Sequence, residues 1–287
     1  MIFISTGGRR NVSAAESALD FYNNGISGVE LSGGAYVPDY AKELMALPGD
    51  LSLQVHNYFP PPKTPFVFNL ASNVPSILKK SMDHAKNAMQ LAQSLGRPIY
   101  SFHAGFRINP SVEQLGKKLS GSNLLGESEA LAIFGECILD LAEVARREGV
   151  TLLIENNVLT KETFNNFEEN PLLLSDPQAI VEFMKAMPPN VRILLDVAHL
   201  KVSGKTLNFD LIEAHNEIKP WIKGYHLSDN DGRTDSNGKI SDDSWFWACM
   251  VRNLDYYSLE VYGETTSVLS DQFRYLQSQL NQQPKFG

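Results

Sequence analysis

The chain has 287 residues, of which 43% are hydrophobic and 20% charged. A chain of this length and composition buries a complete core, which excludes the disordered, collagen-like and coiled-coil classes. Its 25 Lys and Arg against 33 Asp and Glu give a formal net charge of −8, which disfavours nucleic acid as a partner. The two cysteines, Cys137 and Cys249, lie far apart and exclude a disulfide framework or a cysteine zinc site.

No segment of the sequence has the character of a targeting or membrane-spanning signal. The apolar run at residues 2–4 is too short for a signal peptide, and the pair Arg9 and Arg10 follows it rather than preceding it. The longest apolar stretches, such as residues 193–195, fall well below the roughly 20 residues that a bilayer requires. We therefore expect a cytoplasmic protein with no membrane contact.

Short segments rich in β-branched and aromatic residues recur along the chain and predict strands, because each is bounded by Gly, Pro, Asn or Asp. These predicted strands begin near Ile2, Val29, Leu51, Pro98, Thr151, Arg192, Ile222 and Tyr256. Segments of helical period separate them. The predicted helices cover residues 13–24, 38–47, 74–95, 128–148, 176–187, 208–218, 242–254 and 270–282.

Two of these helices have clear internal signals. The helix over residues 13–24 opens with Ser13 as its N-cap and ends before Gly25. The helix over residues 128–148 ends before Gly149. Its predicted apolar stripe consists of Leu131, Phe134, Ile138, Leu139, Leu141 and Val144.

The alternation of eight strands with eight helices is typical of one (β/α)8 TIM barrel, and no polar linker divides the chain. We therefore predict the α/β class and a single domain over residues 1–287, rather than a doubly wound open sheet. The loops that follow the strands form the rim where barrel enzymes bind substrate. The two longest, residues 57–73 and 107–127, are the first candidates for a lid.

Side chains that bind metals lie at the C-terminal ends of six predicted strands, and a barrel directs these ends to one rim. They are His56, His103, Glu155, Asp196 with His199, His226 and Glu260. A charged group at the end of an apolar strand costs free energy that a shared cation offsets. This oxygen-rich set with imidazoles suits Mn²⁺, Mg²⁺, Co²⁺ or Zn²⁺. By contrast, His84 and His215 fall within predicted helices and are interpreted as outer-surface or packing residues.

Four strand-end segments carry a resemblance to a known group of barrels. They are Ile-Glu-Asn at 154–156, Leu-Asp-Val-Ala-His at 195–199, His-Leu-Ser-Asp-Asn-Asp-Gly at 226–232 and Leu-Glu at 259–260. Together they resemble the xylose isomerase-like barrel superfamily, which holds sugar isomerases and epimerases, inosose dehydratases and apurinic endonucleases. The resemblance covers nearly the whole chain. Its motifs are specific for the superfamily but not for a member, because the same strand ends serve several chemistries.

Carried over by motif, the resemblance implies a set of residues that hold the single divalent metal of ketose epimerases. This set is Glu155, Asp196, His226 and Glu260. The resemblance also implies that His199 contacts a substrate oxygen. Arg233, seven residues after His226, is expected to clamp a hydroxyl or a phosphate.

Further side chains are expected to contact the substrate. His56 and His103 face the same rim as the predicted metal ligands. Tyr58 and Phe106 follow these two histidines closely and are the preferred aromatic walls of a sugar pocket.

The endonuclease members resemble this chain at His56, His103, Asp196 and His199, but they carry Asp-x-His after the seventh strand to complete a three-metal cluster. The matching stretch here reads Asp-Ser-Asn at 235–237. The amide of Asn237 does not replace an imidazole as a strong zinc ligand, and the acidic chain lacks a basic track for DNA. A small-molecule sugar or sugar phosphate is therefore the expected partner.

The expected activity is a divalent-metal-dependent sugar or sugar-phosphate isomerase or epimerase that transfers a proton through an enediolate at the metal. Glu155 and Glu260 would be base and acid on opposite faces of the substrate. The alternatives are an inosose-dehydratase-like lyase that expels water from the same enediolate, an apurinic endonuclease-like hydrolase, and a regulatory barrel that only binds a ligand. Relatives often form dimers or tetramers, so the resemblance also implies a homo-oligomer.

Overall fold

In a computed structural model, which describes residues 1–114 and 124–282, eight strands form one closed parallel barrel. The strands are β1 Ile2–Ser5, β2 Gly28–Leu31, β3 Ser52–His56, β4 Ile99–His103, β5 Thr151–Glu155, β6 Val191–Asp196, β7 Ile222–Leu227 and β8 Tyr257–Leu259. Each pairs with the next in sequence, and β8 closes onto β1, where Ile4 is in register with Leu259. The predicted (β/α)8 TIM barrel is confirmed.

Helices surround the barrel and connect its strands. They are α1 Ala14–Asn23, α2 Tyr40–Met45, α3 Pro75–Ser94, α4 Glu127–Glu148, α5 Lys161–Phe167, α6 Pro177–Lys185, α7 Val197–Leu207, α8 Leu211–Ile218 and α9 Thr266–Asn281. Ser13 caps α1 as predicted, since its side chain accepts the Glu16 N–H, and Gly149 ends α4 in the left-handed conformation. Among residues 1–114 and 124–282, no helix combines the length and the hydropathy needed to cross a bilayer.

The prediction of a helix over residues 242–254 is wrong. This connection contains only a 3₁₀ turn, Trp245–Ala248, in which Phe246 is buried while the Trp247 indole donates to the Ser241 carbonyl. Asp242 accepts from Tyr275 of α9 instead of capping a helix. Three consecutive aromatic residues have no helical period, and each finds its own partner.

Two helices were not predicted, α5 and α7, and α8 begins three residues later than expected, after its N-cap Asp210. Helix α7 follows β6 with no turn between them, because Asp196 is the last residue of the strand and also the N-cap of the helix. Leu139 is 48% exposed and does not belong to the apolar stripe of α4. It follows Ile138 directly, and adjacent helical residues point about 100° apart.

The barrel interior is apolar only near its N-terminal end. A separate buried cluster there comprises Phe3, Leu153, Leu194 and Tyr256. Each lies two residues before a polar residue that points the same way, since side chains alternate along a strand. These polar residues are Ser5, Glu155, Asp196 and Ser258. The apolar cluster therefore forms the floor beneath a polar upper interior.

The loop over residues 57–73, one of the two predicted lid segments, packs around the buried His84 of α3. The Tyr58 ring stacks on His84 with 5.3 Å between centroids, and the His84 Nε2 atom lies 3.2 Å from the Asn57 carbonyl oxygen. The Asn69 amide donates to the carbonyl of Ile108 in the second predicted lid segment. Residues 115–123 of that second segment lie outside the described residues.

His84 and His215 were interpreted as outer-surface or packing residues. Both are buried, so they are packing residues. The His215 Nε2 atom lies 2.8 Å from the Tyr225 hydroxyl, and the two rings stack. Burial lowers the pKa of His84 to about 4, which the hydrogen bond to Asn57 only partly opposes. His84 is therefore neutral in the folded protein at neutral pH.

We expect Gly28→Ala to destabilise the fold by about 1–3 kcal/mol, because overpacking costs free energy of this order. A Cβ atom at Gly28 would overlap the Ile2 carbonyl oxygen in the neighbouring strand β1. Gly49→Ala is the matched control, since a Cβ there meets nothing within 4 Å. Urea unfolding measures both variants, and equal stabilities would contradict the close approach of β1 and β2.

We expect His84 to make the fold less stable as the pH falls from about 6.5 to 4. The unfolded chain binds a proton in this window that folded His84 does not, so the loss reaches on the order of 3 kcal/mol. The control is His84→Gln, whose amide still donates to Asn57. The free energy of unfolding of wild type minus that of the variant should shrink across the window. Parallel pH curves for the two proteins would contradict this.

Candidate active site

Four side chains predicted as metal ligands converge at the C-terminal end of the barrel. Glu155, Asp196, His226 and Glu260 each offer a ligand atom, and these atoms lie within 4.8 Å of one another. They come from β5, β6, β7 and the residue after β8. All four are buried, and even the most accessible, Glu260, is only 7% exposed. The strand-end pattern therefore brings these residues together.

His226 lies between the two glutamates of this cluster. Its Nδ1 atom is 3.1 Å from the Glu155 Oε1 atom and 3.5 Å from the Glu260 Oε2 atom. Its Nε2 atom faces the barrel interior, 2.9 Å from the Glu30 Oε2 atom. The two ring nitrogens thus have different partners, and Nδ1 is the one that faces the cluster.

Two residues predicted to bind substrate form a second group with Glu155. The Glu155 Oε2 atom is 3.4 Å from the His56 Nε2 atom and 3.2 Å from the His103 Nδ1 atom. These three residues also have ligand atoms within 4.8 Å of one another. Glu155 is shared between the two groups, so its two oxygens face different imidazoles.

Three buried carboxylate oxygens of this region have no hydrogen-bond partner among the described residues. They are Glu30 Oε1, Glu155 Oε2 and Asp196 Oδ2. A buried polar atom that is left unpaired costs free energy, and for an ionised group the cost is larger. Carboxylate oxygens and imidazole nitrogens are donors that divalent cations accept. The donor set therefore fits a divalent cation.

The charges in the cluster are strongly coupled. Burial raises the pKa of Asp196 to about 7, the charge of His199 opposes this, and Glu155 adds to it. Burial also raises the pKa of Glu260, but the neighbouring His226 outweighs burial and brings the pKa to about 2. Burial lowers the pKa of His226, yet Glu30 and Glu260 hold it well above its ordinary value. In the absence of a cation, the His226 proton balances part of the carboxylate charge.

His199 lies in the first turn of α7, beside the cluster. Its Nδ1 atom is 2.8 Å from the Asn156 carbonyl oxygen, and its Nε2 atom is 3.2 Å from the Asp235 Oδ2 atom. Asn156 also positions Asp196, because its amide oxygen accepts the Asp196 N–H and its amide nitrogen donates to the Asp196 carbonyl. The contact of Asp235 with His199 was not predicted from the Asp-Ser-Asn segment at 235–237.

Glu260 is oriented by one side chain from the end of β1 and one from the loop after β8. Its Oε1 atom accepts from the Tyr262 hydroxyl at 2.9 Å and from the Ser5 hydroxyl at 3.2 Å. A Cβ atom at Gly7 would overlap the Tyr262 hydroxyl, so glycine is needed for this approach. With Oε1 engaged in this way, Oε2 is the oxygen that faces His226.

Three other predicted substrate residues lie on the rim loops. Arg233 is exposed after β7, and among the described residues it shares no hydrogen bond or ion pair with the cluster. The hydroxyl of half-buried Tyr58 accepts the Phe66 N–H. Phe106 pairs with Leu172 in an isolated β-bridge. Contact of these residues with a substrate stays a prediction.

Glu30, the next-to-last residue of β2, lies near the site but was not among the predicted site residues. A signal was present, because the Gly-Val-Glu-Leu of β2 places an acid near the end of an apolar strand in the same way as the Leu-Leu-Ile-Glu of β5. Tyr256 and Ser101, which lie beside Glu30, gave no signal, because buried tyrosine and serine are common within strands.

Comparison with solved structures finds barrels of the same shape. A D-tagatose 3-epimerase-like protein gives a TM-score of 0.69 at 18% identity, over 97% of this chain and 99% of that chain. A xylose isomerase-like TIM barrel protein from Mycobacterium smegmatis in complex with magnesium gives 0.66 at 14% identity, over 97% and 96%. The probable 3-DHS dehydratase AsbF from Bacillus anthracis gives 0.60 at 18% identity, over 96% and 98%.

These identities are low, and the likeness establishes the shared fold alone. No curated protein sequence matches the chain. The sequence profile of the xylose isomerase-like TIM barrel does match, over residues 22–256, which is most of the chain. It covers β2 to β7 completely and includes three of the four clustered residues. The chain belongs to the xylose isomerase-like TIM barrel family.

Proposed function

We propose that this protein is a divalent-metal-dependent isomerase or epimerase of a sugar or sugar phosphate. The observation that carries the proposal is the buried cluster of Glu155, Asp196, His226 and Glu260, whose ligand atoms lie within 4.8 Å of one another. Its unpaired carboxylate oxygens favour a cation as the missing partner. The likeness to a D-tagatose 3-epimerase-like protein and to a magnesium complex supports the choice.

The residues proposed to hold the ion are these same four. A bound divalent ion would stabilise the negative charge that develops on a carbonyl oxygen when the neighbouring C–H bond loses its proton. His226 would offer Nδ1, the nitrogen that faces Glu155 and Glu260. Mn²⁺, Mg²⁺, Co²⁺ and Zn²⁺ all accept this donor set.

Glu155 and Glu260 are the proposed base and acid. Their strands, β5 and β8, are three positions apart around the barrel, so the two carboxylates approach a bound substrate from different sides. Each has one oxygen engaged by the protein, Glu155 by His226 and Glu260 by Tyr262 and Ser5. Oε2 is the oxygen proposed to exchange a proton with the substrate, and it faces His56 and His103 in Glu155 and His226 in Glu260. Transfer on opposite faces inverts a carbon centre, and return on the same face moves the carbonyl.

His199 is proposed to donate a hydrogen bond from Nε2 to a substrate oxygen, which would replace Asp235 as the acceptor. Burial lowers its pKa, but Asp196 and Asp235 raise the pKa well above its ordinary value, so the ring remains a donor at neutral pH. His56 and His103 would contact the substrate from the other side of Glu155. Arg233 is exposed and available to a phosphate, so phosphorylated sugars belong in the substrate screen.

We expect Glu155→Gln and Glu260→Gln each to lower turnover by at least about 10²-fold, since a general acid or base contributes 10²–10⁴-fold. The assay follows incorporation of solvent deuterium next to the carbonyl in a panel of ketoses and ketose phosphates. Glu264→Gln is the matched control, because Glu264 lies four residues after Glu260 and pairs with Lys239 outside the cluster. Near-normal rates in both cluster variants would exclude the mechanism, and a product one water lighter would identify a lyase.

A second candidate function is a metal-dependent phosphodiester hydrolase of the apurinic endonuclease type. The observation that favours it is the group of His56, His103 and Glu155, which has the composition of a second metal site. Two ions that share a carboxylate clamp both oxygens of a displacement at phosphorus. The number of bound ions therefore distinguishes the two candidates.

We expect one divalent ion per chain after metal reconstitution, measured by elemental analysis. Asp196→Asn should remove it, and the asparagine still caps α7 by accepting the His199 N–H. His103→Gln should leave the ion bound. Two ions, of which His103→Gln removes one, would favour the hydrolase. No ion in the wild type would contradict both candidates.

A further inference from the structure

A continuous chain of hydrogen bonds runs through the barrel interior beneath the cluster. The His56 Nδ1 atom is 2.9 Å from the Ser101 Oγ atom, which is 3.0 Å from the Tyr256 hydroxyl. The Tyr256 hydroxyl donates to the Glu30 Oε2 atom at 2.5 Å, and the His226 Nε2 atom lies 2.9 Å from the same oxygen. Every member is at most 2% exposed. We name these five residues the interior relay.

The direction of each hydrogen bond in the interior relay follows from Glu30. A carboxylate has no hydrogen to give, so it accepts from both Tyr256 and His226. The Tyr256 hydroxyl has one hydrogen, and Glu30 takes it, so the tyrosine oxygen accepts from Ser101. The serine hydrogen is then used as well, and the serine oxygen accepts from the Nδ1–H group of His56.

This polarity leaves one nitrogen of each imidazole for the cluster. His56 carries a hydrogen on Nδ1, and its Nε2 atom faces the Glu155 Oε2 atom at 3.4 Å. His226 gives its Nε2 hydrogen to Glu30, and its Nδ1 atom faces the Glu155 Oε1 atom at 3.1 Å. The second nitrogen of each imidazole therefore points toward one of the two oxygens of Glu155.

We infer that Glu30 is a positioning residue that places a hydrogen on Nε2 of His226 directly and on Nδ1 of His56 through Tyr256 and Ser101. A buried acid is a costly structural element, since apolar replacements of buried ionic groups are often neutral or stabilising. Fixing which nitrogen of a ligand carries the proton is the established use of such outer partners in metal sites. The consequence for metal binding rests on the proposed function, whereas the tautomers are a property of the metal-free protein.

The test reads imidazole tautomers in metal-free, ¹⁵N-labelled protein by long-range ¹H–¹⁵N spectra, with each histidine assigned by removing it in turn. The wild type should show His56 protonated on Nδ1 and a slowly exchanging Nε2 proton on His226. Tyr256→Phe cuts the relay between Glu30 and Ser101, so His56 should lose its preference while His226 keeps its proton. A general structural defect in the variant would alter the protonation of both histidines, not of His56 alone.

Glu30→Met removes the acceptor and frees the Tyr256 hydroxyl to donate to Ser101. The relay then reverses, and the His56 proton should move to Nε2. Glu30→Gln keeps an acceptor oxygen and should restore the wild-type pattern. A His56 proton on Nε2 in the wild type would overturn the inference. So would a His56 tautomer that Tyr256→Phe and Glu30→Met both leave unchanged.

Zn²⁺ affinity, measured by competition with a chelator, supplies the second readout. Glu30→Met should weaken binding about 10- to 100-fold, the usual loss when an outer partner of a ligand is removed, and Glu30→Gln should weaken it less. If the tautomers are as inferred but the wild type binds no Zn²⁺, the relay stands and the proposed function fails. If Zn²⁺ binds but the tautomers are reversed, the relay fails and the proposed function stands.

Discussion

The carboxylate of Glu155 is fully buried among three strand-end imidazoles and that of His199, and the upper half of the barrel depends on this arrangement. An ionised carboxylate in a low-dielectric interior is stable only where opposite charges or hydrogen-bond donors surround it. Burial raises the pKa of Glu155, but the charges of His103 and His226 hold it well below its ordinary range. The strand ends that carry these histidines are fixed in register, which keeps the charges in place.

The closed barrel allows these charged side chains to be buried in its interior. Parallel strands pair without an exposed edge, so the backbone is satisfied before any polar side chain is placed inside. The apolar core lies mainly outside the barrel, between the strands and the helices, while Phe3, Leu153, Leu194 and Tyr256 form a separate floor within it. The outer layer carries the stability, and the inner upper layer is free to hold charge.

The sequence predicts most of this fold because its strands are short, β-branched and clearly bounded, and each begins within one residue of its predicted start. It predicts convergence at the rim because parallel strands share one direction. Helix α7 was not predicted, because Asp196 ends β6 and also caps the helix, with no turn between them. The helix expected over 242–254 failed because Tyr275, which lies far away in sequence, donates to Asp242 and packs edge-on against Trp247. Tyr256 and Ser101 gain their importance only from neighbours in space, which no local pattern records.

The double role of Asp196 links the site to a larger part of the molecule. The Asp196 carboxylate also accepts a hydrogen bond from the His199 N–H in the first turn of α7. Lys201 in that helix donates to the Asp229 carboxylate and to the Asn230 carbonyl of the loop after β7. That loop carries Arg233 and Asp235. A ligand that binds the Asp196 carboxylate therefore affects the conformational stability of α7 and of this loop through one side chain. Occupancy of the site and the folding of α7 are thermodynamically linked. A ligand that binds only when α7 is folded lowers the population in which this helix is locally unfolded.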